Sequence, residues 1–96
     1  MIDNQPKTAP EFCRRAAELM AERGATYDCE QERSMFKTVE AFNTITGRNL
    51  TEAEGWLFMQ TLKDVRQWQS PKYHPDSAED GVAYSALKAE ALAKTA

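Results

Sequence analysis

An all-α domain of four helices is the fold class this sequence predicts. Three observations carry it. Four Ser/Thr/Asp-x-x-Glu/Gln boxes, the spacing of a reciprocal helix N-cap, punctuate the 96 residues. After each box, apolar residues recur at three- and four-residue steps, the period of a helix face. No run alternates β-branched and polar residues, and no Asn-Gly pair marks a hairpin, so nothing reads as a strand.

The first box is Thr8-Ala9-Pro10-Glu11, with proline in the first turn where its missing N–H costs nothing. Phe12, Ala16, Leu19 and Met20 follow, and Gly24 offers a left-handed stop, so the first helix is predicted from Ala9 to Arg23. Asp28 and Gln31 form the second box; Met35, Phe36, Val39, Phe42 and Ile45 make one face, closed by Gly47. Thr51 and Glu54 open the third helix. Its apolar residues Trp56, Leu57, Phe58, Met59, Leu62, Val65 and Trp68 span more than one stripe, which predicts the most buried helix. Ser70-Pro71 ends it. Asp76 and Glu79, just after Pro75, open the fourth, where Val82, Ala86, Ala89 and Leu92 recur beside Tyr84, Leu87 and Ala91. The expected layout is a flexible tail over residues 1–7 and one compact helical domain over 8–96 with short loops.

Composition bounds the function. The chain is 42% hydrophobic and 28% charged, the balance of a globular domain and not of a disordered one. A chain this short buries a small share of its surface, which favours a homo-oligomer. The net charge of −3 argues against direct binding of duplex nucleic acid, whose readers carry a basic excess. No apolar run approaches a membrane span, and Met1–Lys7 has no export signal, so a cytoplasmic protein is expected. Cys13 and Cys29 lack CxxC spacing and read as free, small, buried apolar groups; with His74 as the sole histidine, a His/Cys zinc site is not expected. A loop histidine before proline reads as solvent-exposed.

The best candidate site lies in the C-terminal half. Lys63 and Arg66 share a face of the third helix, and Asp76, Asp80 and Tyr84 stand at four-residue steps on the fourth. An antiparallel hairpin across residues 70–75 brings the two sets together. One reading is a salt-bridged structural seam. The other is a pocket in which Lys63 and Arg66 hold phosphate oxygens and Tyr84 stacks on a base. Arg23 and Tyr27 then stand at the pocket's rim, although Arg23 also suits a helix C-terminus and Tyr27 a loop covering the core. Asp76 and Asp80 are the carboxylates a Mg²⁺ ion would want, but capping explains Asp76, and two carboxylates make an incomplete site. Neither a metal site nor a catalytic residue is therefore assigned, and no cofactor is expected. Trp68 and Tyr73 are either core residues or an aromatic patch for a partner protein.

The order Arg23-Gly24-x-x-Tyr27, Phe36, Leu50-Thr51, Leu62-Lys63-x-x-Arg66 and Asp76-Ser77-x-x-Asp80-x-x-x-Tyr84-x-x-Leu87 resembles a family of small helical proteins of tailed bacteriophages and prophages, a domain of unknown function. The likeness spans roughly residues 20 to 92. It departs at Asp28 and Ala83, where the family often has glycine. The layout is also distantly similar to MazG-like all-α nucleotide pyrophosphohydrolases, without a clean version of their paired Glu-x-x-Glu and Glu-x-x-Asp motifs. The resemblance implies a phage accessory protein in the host bacterium. With the residues above, the leading expectation is a non-catalytic protein that binds a nucleotide-like or other phosphorylated ligand, with a counter-defence role such as sequestering a signalling nucleotide. The alternatives are a protein-binding inhibitor of a host factor and a Mg²⁺-dependent nucleotide hydrolase.

Overall fold

Four helices follow in chain order: α1 (Ala9–Tyr27), α2 (Ser34–Thr46), α3 (Glu52–Gln69) and α4 (Pro75–Ala93). The computed structural model describes residues 6–27 and 34–95, with side chains for 6–23 and 34–95. The Asp28/Gln31 box therefore lies outside the described residues.

The helix ends show which local signals prevail. In the Thr8 box the Thr8 N–H donates to Glu11 Oε1 at 3.0 Å and the Glu11 N–H to Thr8 Oγ1 at 3.4 Å. The Thr51/Glu54 box closes likewise, at 2.8 and 3.1 Å. α1 does not stop at Gly24 but runs to Tyr27, since a helix absorbs one interior glycine for roughly 1 kcal/mol. Gly47, by contrast, takes the left-handed conformation, with φ of 71°. There the Asn43 amide clamps the chain: its Nδ2 donates to the Leu50 carbonyl at 2.9 Å and its Oδ1 accepts from the Leu50 N–H at 2.8 Å. α4 is not capped by Asp76. Its N-cap is His74, whose Nδ1 accepts from the Ser77 N–H at 3.3 Å and lies 2.6 Å from Ser77 Oγ, because Pro75 fills the first helical position and shifts the cap upstream. Gln67 fastens this connection, donating to the Lys72 carbonyl at 3.0 Å and accepting from the His74 N–H at 2.7 Å.

α3 and α4 form an antiparallel hairpin, the main packing unit; α1 packs on α4, and α2 on the first half of α3. α2 approaches α3 at Gly55, where a Cβ would stand 2.5 Å from Met35 Sδ and 2.9 Å from Val39 Cγ2. Ala16, Val39, Trp56, Ala83 and Ala91, with Ser77, are the buried side chains among the described residues. The expectation that α3 is the most buried helix is corrected. Trp56 faces inward, but Leu57, Phe58, Val65 and Trp68 are exposed, because α1 joins α4 and leaves α3 uncovered on one side. No described helix is long and apolar enough to cross a membrane.

Candidate functional site

The hairpin register that packs Trp56 on Tyr84 also sets Lys63 opposite Asp80. Lys63 Nζ lies 3.0 Å from Asp80 Oδ2, and Arg23 Nη2, arriving from α1, lies 3.2 Å from Asp80 Oδ1. One carboxylate thus joins three helices, each oxygen taking one cation. The Lys63 and Asp80 side chains are only 12% and 15% exposed and that of Arg23 is 34% exposed, so two of the three charges are largely withdrawn from water. The pairing lets such charges be buried at tolerable cost.

One turn beyond Asp80, the Tyr84 ring stacks on Trp56 with centroids 5.7 Å apart and planes inclined by 25°. Offset pairs of this kind are worth ~0.5–1.5 kcal/mol beyond their burial. Arg23, Trp56 and Tyr84 line a cavity of about 420 Å³ together with Met20, Met35 and Met59. On the other side of the hairpin, Lys63 borders a groove of about 580 Å³ with Gln67, Trp68, Gly81 and Ser85. Asp80 thus ties the cation of one space to the cation of the other.

Of the residues singled out by sequence, Arg23, Lys63, Asp80 and Tyr84 come together. Arg66 does not: it is exposed and borders neither space, because it is turned about 60° around α3 from Lys63. The side chain of Tyr27 lies outside the described ones. Asp76 is exposed and does not join Asp80. Among the described residues no cluster of three or more His, Cys, Asp or Glu is arranged to hold a metal ion. Cys13 is exposed, contrary to its reading as a buried apolar group, and Cys29 lies outside the described residues. Trp68 and Tyr73 are both exposed, Trp68 by 86%.

Trp56 is the site residue that the sequence did not mark as one. Its apolar neighbours on either side made it look like generic core, and only the hairpin register pairs it with Tyr84. No known protein family model, no curated protein and no solved structure matches this chain.

Proposed function

We propose that this chain is a non-catalytic binding domain for a small, planar, anionic ligand of the nucleotide type, held in the cavity lined by Arg23, Trp56 and Tyr84. The observation that carries the reading is the meeting of an aromatic pair, three flexible thioethers and one guanidinium in a single space. Aromatic and methionine side chains offer a polarizable apolar wall to a base. The Asp80 contact occupies one nitrogen of a five-donor fork, so Arg23 keeps N–H groups to offer a phosphate while Asp80 fixes its position. Lys63 orients Asp80 from behind. Arg66 has no part in this reading. Asp80, the acid a hydrolase would turn on its substrate or metal, is held by two cations, which favours binding over hydrolysis.

The phage resemblance adds a setting: a protein that sequesters a signalling nucleotide in an infected cell. A second reading, a host-protein partner, is favoured by the exposure of Trp68 and Tyr73.

Thermal stability against nucleotides, cyclic dinucleotides and phosphosugars, with and without Mg²⁺, separates the two. A ligand at a hundredfold excess over its Kd adds ~2.7 kcal/mol, a Tm rise of roughly 10 °C or more for a domain this size. The rise should vanish in Arg23→Gln and weaken in Tyr84→Ala while Trp68→Ala retains it. A flat response across the panel would turn the assignment to the protein partner. Release of phosphate or pyrophosphate from any nucleotide would overturn the non-catalytic reading.

A further inference from the structure

His74 is the sole histidine of the chain, and its side chain caps a helix. N-caps are usually Ser, Thr, Asp or Asn, whose side-chain oxygens remain acceptors throughout the neutral range. Here the acceptor is an imidazole nitrogen. Nδ1 takes the Ser77 N–H at 3.3 Å and lies 2.6 Å from Ser77 Oγ. A ring nitrogen accepts only while it carries no proton. Once protonated, Nδ1 is a donor. The Ser77 hydroxyl can turn round and accept from it, but the Ser77 N–H cannot reverse and loses its partner. The imidazolium also stands at the positive end of α4, where a cation is disfavoured.

The His74 backbone is fixed, which leaves the ring to respond. Its N–H donates to Gln67 Oε1 at 2.7 Å, and its carbonyl accepts from the Ala78 N–H at 3.2 Å. Ser77 is only 3% exposed, so little water can replace the lost acceptor on its N–H. His74 itself is exposed, so a proton reaches it without unfolding. Lys72 and Tyr73 precede the ring, Asp76 and Glu79 follow it in α4, and Lys63 and Asp64 of α3 border the same groove as Ser77. Among the described residues none of these is hydrogen-bonded or ion-paired to the imidazole. Glu79 is engaged by Lys7 and Arg15, and Lys63 by Asp80. Asp76 is exposed, and water screens its attraction for an imidazolium. We propose that His74 is a proton-operated latch on α4: the neutral imidazole caps the helix, and its protonation frees the first turn. That turn leads directly into Asp80, the carboxylate that Lys63 and Arg23 share.

The unfolded chain takes up this proton without losing a cap, and the folded chain does not. Stability therefore falls as pH drops through the histidine range. Thermal unfolding of the full chain from about pH 7.5 to about pH 5.5 tests the latch, since carboxylates stay ionised there and the chain has no second histidine. The wild-type Tm should fall by roughly 3–6 °C across that window, the scale of one lost cap in a domain this size. His74→Asn, whose amide oxygen accepts at every pH, should hold a level Tm. Amide protection factors from hydrogen exchange should drop in the first turn of α4 at the lower pH and hold in the middle of α3. A level wild-type Tm would overturn the latch, and so would a slope that survives in His74→Asn. A slope that the substitution removes, but with unchanged protection at the start of α4, would overturn it as well, because the proton would then act elsewhere. None of these readouts involves a ligand, so they stand apart from the binding assignment.

Discussion

Removing the Asp80 carboxylate leaves the Lys63 ammonium facing Arg23 with neither cation's α4 partner in place. Asp80→Asn should therefore lower stability by about 1–3 kcal/mol in urea unfolding, less than for a fully buried triad because Arg23 is partly solvated. Adding Lys63→Met to that variant should recover part of the loss, since an apolar side chain in a largely buried position does not need the missing charge. Glu11 gives a pH prediction. Its carboxyl is held below the ordinary carboxylate range, first by the Thr8 backbone N–H and then by the Thr8 hydroxyl. A folded-state pKa below the unfolded one means stability that is fully present above the unfolded value and is lost as pH falls through the folded one. Glu11→Gln should flatten the acid side of the Tm–pH profile below about pH 4 and leave its shape near neutrality unchanged.

Within the helices, two interior glycines make opposite predictions. At Gly81 of α4 a Cβ meets nothing within 4 Å, so Gly81→Ala should stabilise by about 0.5–1 kcal/mol through backbone entropy. At Gly55 of α3 the same substitution meets Met35 and Val39. Met35 can swing aside, but the β-branched Val39 cannot, so Gly55→Ala should lower Tm despite its better helix propensity, by a net ~1–2 kcal/mol. Parallel melting curves of the two variants give the comparison. The elements themselves were legible because their caps are local: Thr8/Glu11 and Thr51/Glu54 need only four consecutive residues. What was not legible depended on neighbours. Asp76 and Glu79 have the spacing of a box, yet His74 wins because proline moves the helix start. Gly24 and Gly47 look alike in sequence, but only Gly47 is turned left-handed, beside an Asn43–Leu50 clamp that acts across seven residues.

For the molecule as a whole, the candidate site was readable where it follows from one hairpin. A short connection and helical spacing suffice to set Lys63 opposite Asp80, and Tyr84 follows one turn later. Arg23 was placed at the rim and instead forms part of the charge cluster, because its position depends on how α1 crosses α4. In sequence Trp56 and Trp68 both belong to the apolar set of α3, and Trp68, near the helix end beside Tyr73, also reads as an aromatic for a partner. Trp56 became the wall of the cavity and Trp68 the most exposed aromatic among the described residues, according to which face of α3 another helix covers.

The docking of α1 has a consequence of its own. Beside the buried Ala16, and Met20, which shares a cavity wall with Leu87, ion pairs tie α1 and the residues just before it to α4: Lys7 and Arg15 both meet Glu79, the latter at 3.6 Å, and Arg23 meets Asp80. Contacts between partly hydrated charges fade as added electrolyte shortens the screening length below ~8 Å. The α3–α4 hairpin also has an ion pair, Lys63–Asp80, but those two side chains are only 12% and 15% exposed and so are screened less, and ring stacking and the Gln67 amide tie the hairpin as well. Ionic strength should therefore act selectively. In concentrated salt the amide protons of α1 should exchange with deuterium faster while those of α3 and α4 keep their protection, so that one helix is set loose from a hairpin that stays folded.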